Sequence, residues 1–185
     1  MLDSIYRIIK SNSRLGAIFS IALLVVLMVL EYIFVGMLFI FNIPIVLALL
    51  GVLVFTFAAN DKLAKYCSIA FFIFSAISLT FYSVMSIVHG RFPGYFPSIG
   101  YLVYAVLFII FILLFLTTHV FKMVNAQPVI PLLLIGLSFV LFVFNVIYYF
   151  TGYYKISFHN IVLSLADVFT PIAVLFSYIH SFCNK

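Results

Sequence analysis

The sequence predicts an all-α integral membrane protein, a six-transmembrane-helix bundle with N- and C-termini cytoplasmic. Three observations carry that expectation. Hydrophobic residues make up 68% of the 185-residue chain and charged residues 7%, with a mean hydropathy of +1.39, far from the soluble range. Apolar stretches of roughly 20 residues, the length a helix needs to cross a hydrocarbon core about 30 Å thick, recur throughout. Runs within them such as Ile21 to Leu30 and Leu107 to Leu116 are apolar on every face rather than alternating with polar positions, which favours helices over a transmembrane barrel.

Residues 1–14 form an N-terminal segment of their own. Leu2, Ile5, Ile8 and Ile9 stand at helical spacing with Asp3, Arg7, Lys10 and Arg14 between them. The pattern suits an amphipathic helix lying on anionic headgroups, and equally a frayed tail. The first apolar run has no small-residue cleavage site and continues into a second, so it reads as a retained helix rather than a signal peptide.

A single transmembrane domain then covers 15–182. From Leu15 to Ala59 only Glu31 and Asn42 interrupt the apolar sequence. As one helix this would measure about 68 Å, more than twice the core thickness, so it must fold back. Gly36 and the segment 42–44, with Pro44, loosen it and give helices over 15–35 and 40–59. The polar stretch 60–65 closes this hairpin, and helix three runs over 66–89. Residues 90–98 include Arg91, Pro93 and Pro97 among aromatics and form a turn at headgroup level. Helix four covers 99–121 and is ended by the polar break 122–128. Helix five covers 129–150, with Pro131 tolerated in its first turn. Tyr153, Tyr154 and Lys155 make an interfacial belt before helix six over 159–182, in which Pro171 predicts a kink.

Charge orients the stack. Arg7, Lys10, Arg14, Lys62, Lys65, Lys122 and Lys185 fall on the side of the termini, while only Arg91 and Lys155 fall opposite. Seven against two is a positive-inside bias that places both termini in the cytoplasm and the chain in the plasma membrane. The net charge of +5 forms no patch interleaved with exposed aromatics, so nucleic acid is not an expected partner. Cys67 and Cys183 lack metal-type spacing and read as packing residues.

Polar groups within the spans are the functional evidence, because each is costly in hydrocarbon. Glu31 lies near the outer end of helix one and Asp167 about two turns into helix six. Asn160, Ser164 and Asp167 stand at i, i+4 and i+7, on one helix face. Helix three carries Ser75, Ser78, Tyr82, Ser86 and His89 in a similar stripe. Tyr101 and Tyr104, Asn145, Tyr148 and Tyr149, and Asn42 lie at matching depth. The inner halves are almost purely apolar apart from Thr117, Thr118, Ser177 and the terminal histidines. The asymmetry predicts a small-molecule ligand in an outward-facing polar cavity. Its candidate residues are Glu31, Asn42, Ser86, His89, Arg91, Tyr101, Asn145, Tyr149, His159, Asn160, Ser164 and Asp167. Arg91, Lys155, His89 and His159 are the natural partners of the two acids. The same serines and tyrosines could serve as helix glue and interfacial anchors.

No catalytic residue set stands out. The sequence contains no His-Glu-x-x-His, Gly-x-Ser-x-Gly or Cys-x-x-Cys. His89 and His159 near one face, with His119 and His180 near the other, outline a two-haem arrangement. These histidines sit at helix ends, however, with about 31 Å between His159 and His180 along one helix. No metal and no cofactor is expected. In size, span number, cytoplasmic termini and polar outer cavity, the chain resembles the substrate-capture subunits of energy-coupling-factor vitamin transporters. The chain departs from them along helix one, which is rich in small residues in those subunits and in which only Gly16 and Ser20 provide such a patch here. The resemblance implies a partner membrane subunit beside the lipid bilayer. A membrane-embedded enzyme acting on a lipid or isoprenoid, using Asp167, His159, His89 and Glu31, is the second reading. A non-catalytic assembly subunit is the third.

Overall fold

The computed structural model describes residues 7–8, 10–35, 42–89, 95–152 and 155–183; within these stretches the side chains at 31, 34–35, 42, 82–89, 95–99, 101 and 159 are not described. Every long element among the described residues is a helix: α1 (Ser13–Val35), α2 (Asn42–Phe57), α3 (Asp61–His89), α4 (Tyr95–Phe115), α5 (Val129–Phe150) and α6 (Phe158–Tyr178). Five of the six are long and apolar enough to cross a membrane, whereas α2 has 16 residues. Both α4 and α6 end in a five-residue π-helical turn, Leu116–Val120 and Ile179–Cys183 respectively.

Local chemistry explains where these helices differ from the expected bounds. Residues 60–65 are not a loop: α3 starts at Asp61. The Asn60 side-chain oxygen accepts from the Leu63 N–H at 3.3 Å, and Asp61 lies in the first turn, where a negative charge complements the helix dipole. Lys62 and Lys65 therefore belong to the first turns of a helix rather than to a loop. Likewise α4 begins at Tyr95, four residues before the expected 99, with Pro97 in its first turn. A proline fits there because the first N–H groups of a helix have no partner within it. Helix six is capped by Ser157, whose side chain accepts from the Asn160 N–H. It runs through Pro171, which supplies no N–H to the Asp167 carbonyl one turn back.

The helices close into a ring. Each packs on its neighbours in sequence, and α1 returns to α6 through one of the two most extensive contacts in the molecule. Neighbours run antiparallel, because the start of each faces the end of the next. Gly16 meets Phe176, Gly51 meets Cys67, and Gly100 meets Tyr148. At Gly16 an added Cβ would run into the Phe176 ring, so the absence of a side chain there sets how close α1 and α6 come. Gly16 thus faces α6, and Ser20 one turn on is buried as well.

Aromatic rings fill the centre. Phe72 meets Phe111 and Phe115 edge-on at 5.5 Å each, and Phe115 meets Phe182 edge-on at 5.0 Å, the arrangement that opposes ring edge to ring face. Outward, Phe19 is 69% and Phe150 88% exposed, with Leu47, Phe57, Leu113 and Phe139 similarly uncovered. Apolar surface this continuous is stable against hydrocarbon and not against water. Hydroxyls within the helices mostly bond their own turn. Ser20, Ser68, Thr80, Thr117, Ser138, Thr151 and Thr170 each donate to the carbonyl four residues back, which hides the polar group from lipid.

Candidate functional site

Two polar groups stand apart in the bundle, one near the middle of the helices and one at the end where α1 begins. The first surrounds Asp167, nine residues into α6, or about 14 Å along the helix. Asp167 is half-buried and within electrostatic reach of the buried Tyr104 phenol on α4. Tyr104 is also nine residues into its helix, so the two stand at matching depth. One turn before Asp167, the Ser164 hydroxyl is 3.3 Å from the Tyr149 hydroxyl and joins α6 to α5. The face Asn160, Ser164, Asp167 therefore carries one interhelical hydrogen bond, from Ser164 to Tyr149, and one electrostatic link, from Asp167 to Tyr104.

Asn160 itself serves the start of the helix: its Nδ2 donates to the Lys155 carbonyl at 2.8 Å and its backbone N–H to Ser157 Oγ at 3.2 Å. Asn145 donates to the Leu141 carbonyl of its own helix at 3.0 Å. Of the candidate residues, the structure thus pairs Tyr149 with Ser164 and brings Asp167 to Tyr104, and it engages Asn145 and Asn160 locally. The side chains of Glu31, Asn42, Ser86, His89, Tyr101 and His159, and the whole of Arg91, lie outside the described residues.

The second group, at the end where α1 begins, is not apparent from the sequence pattern. Arg14 donates to the Thr56 carbonyl at 3.1 Å and ties α1 to the end of α2. Lys65 on α3 places its Nζ 4.7 Å from the centroid of Phe182, a cation held over an aromatic face. Ser68 on α3 and Ser181 share a hydrogen bond of 3.2 Å. His119 Nε2 lies 2.9 Å from the Tyr178 hydroxyl, and His180 Nε2 lies 4.0 Å from the Asp61 carboxylate. Gln127 Nε2 donates to the Phe182 carbonyl at 3.5 Å. His119 stands in one π-turn and His180 and Ser181 in the other. Such turns insert an extra residue, which re-aims side chains and recurs at functional sites. In the sequence the signal is present only as polar residues scattered over five helix ends.

Several buried polar atoms here and nearby have no hydrogen-bond partner among the described residues: Thr56 Oγ1, Ser75 Oγ, Ser177 Oγ and His180 Nδ1. Among the described residues no three His, Cys, Asp or Glu side chains gather as a metal site would require. Cys67 and Cys183 are free thiols.

No protein-family model, curated protein or solved structure matches this chain. The five long apolar helices are compatible with a membrane protein.

Proposed function

We propose that the chain is a multi-pass protein of the plasma membrane that crosses the bilayer six times, with both termini in the cytoplasm, and binds or carries a small molecule at the polar group around Asp167. The observation that carries the ligand reading is Asp167 itself, a half-buried carboxyl within an apolar span and next to a phenol on another helix. Ionisable groups at such depth are expensive and are found where a substrate, ion or proton must be met. Tyr104, Tyr149 and Ser164 add hydroxyls able to fix a ligand's orientation.

The six-span reading is supported by the antiparallel ring, and α2 is its short member. Its 16 residues measure about 24 Å as a helix, a shortfall that local thinning of the bilayer accommodates. Cytoplasmic termini are supported by charge: Arg7, Lys10, Arg14, Lys62, Lys65 and Lys122 share the end where α1 begins, against Lys155 alone among the described residues opposite.

The test is mass spectrometry of the intact protein, released gently from the membrane with whatever it holds. A small molecule retained by the wild type and lost from both Asp167→Asn and Tyr104→Phe supports the reading. A ligand that survives both substitutions overturns it. Turnover of a lipid that depends on Asp167 would instead mark the chain as an enzyme. A stable protein partner with no ligand would mark it as an assembly subunit.

A further inference from the structure

The polar group at the end of the bundle where α1 begins, apart from Asp167, has its own chemistry. Thr56, in the last turn of α2, is fully buried. Unlike most hydroxyls in these helices, its Oγ1 makes no bond to its own turn. Its carbonyl accepts from Arg14, so a guanidinium stands beside an unused hydroxyl, with donors to spare beyond that one bond. Across the seam, Ser177 Oγ and His180 Nδ1 on α6 are buried without partners among the described residues, and His180 is within electrostatic reach of Arg14. Lys65 flanks the same π-turn from α3, its half-buried stem holding the ammonium against Phe182 rather than out in water. The acid at this seam, Asp61, has its side chain 85% exposed and faces away from the interior.

We propose that this seam, where α1 and α3 meet the final π-turn of α6 and Arg14 ties in the end of α2, binds a phosphate-bearing anion, with Arg14 and Lys65 supplying charge and Thr56 a neutral donor. The fork of a guanidinium and the point charge of an ammonium are the two usual phosphate ligands. A seam at the helix ends stands at headgroup level, where basic clefts between transmembrane helices hold lipid phosphates. A lipid headgroup and a free phosphate compound present the same chemistry.

The experiment uses the full-length protein reconstituted in phosphatidylcholine with a minor share of phosphatidylglycerol. Phosphatidylglycerol retained after delipidation is counted by mass spectrometry of the intact protein, and circular dichroism monitors helix content. The wild type retains phosphatidylglycerol over phosphatidylcholine. Arg14→Gln and Lys65→Gln each lower retention about fivefold, Asp61→Asn raises it, and the exposed charges Lys62→Gln and Lys122→Gln leave it nearly unchanged. Thr56→Val, which alters no charge, lowers it as well and decides the matter if an Arg14 variant does not fold. Displacement by millimolar inorganic phosphate assigns the site to free phosphates; retention against it assigns the site to the lipid. Equal losses from Lys62→Gln, Lys122→Gln and Arg14→Gln, or no loss from Arg14→Gln and Thr56→Val, overturn the proposal.

Discussion

His119 and Tyr178 join the ends of two helices through one hydrogen bond of 2.9 Å between Nε2 and the phenol hydroxyl. Their rings lie 5.5 Å apart edge to face, and both touch Phe115 and Phe182. The bond is the polar centre of an otherwise aromatic plug. It fixes where the π-turn of α4 stands relative to the end of α6.

Tyr178→Phe keeps the ring and removes the hydroxyl. It is expected to lower stability by about 1 to 2 kcal/mol, because a partly buried imidazole nitrogen loses its partner. Thermal unfolding in a fixed detergent measures this. A double-mutant cycle with His119→Leu should be clearly non-additive, and simple additivity would show that the bond contributes nothing.

Glycines offer a contrast between a seat and an open surface. Gly16→Leu drives a side chain into Phe176 and should cost about 1 to 3 kcal/mol by overpacking the α1–α6 interface. Gly136 on α5 has nothing within 4 Å of an added Cβ, so Gly136→Ala should gain about 0.5 to 1 kcal/mol from helix propensity. The same unfolding assay, run on both, reads opposite signs.

Ala59 closes the α2–α3 turn with φ of 54°, a left-handed conformation that costs a side-chain-bearing residue roughly 1 kcal/mol. Ala59→Gly relieves this at some entropic cost in the unfolded chain, for a net gain of about 0.5 kcal/mol. An unchanged or lowered melting temperature would contradict it.

The proposed topology places Lys122 and Lys155, which flank α5, on opposite sides of the membrane. In a Cys67→Ser, Cys183→Ser background, Lys155→Cys should react with an impermeant maleimide added outside intact cells. Lys122→Cys should react only after permeabilisation. Labelling of both from one side would rule out α5 as a spanning helix.

How far the fold was legible depends on the kind of signal. The apolar run 129–150 coincides with α5 because Pro128 and Thr151 bound it at both ends. The start of α3 was misread because polarity near Asn60 marks the water boundary, and a helix can begin before it enters lipid. At the candidate site, the i, i+4, i+7 spacing of Asn160, Ser164 and Asp167 set them on one face. Only the packing of α5 and α4 separates Asn160, which bonds back to Ser157 and Lys155, from Ser164 and Asp167, which look toward other helices. The group of Arg14, Thr56, Lys65 and His180 was invisible to periodicity because it exists only once α1 has closed on α6. Residues 14 and 180 come together through ring closure, and no local pattern encodes that.

That closure also has a biosynthetic consequence. Helix α1 is the first of the six to leave the ribosome and α6 the last, yet each provides one of the other's largest contact surfaces. Until α6 is made, Gly16 lacks Phe176 and the groove it belongs to faces lipid or the insertion machinery. A chain stalled or truncated after α5 is therefore an open horseshoe, with both flanks of the gap uncovered. Such chains should be short-lived substrates for membrane proteases, and α6 supplied as a separate polypeptide should lengthen their survival.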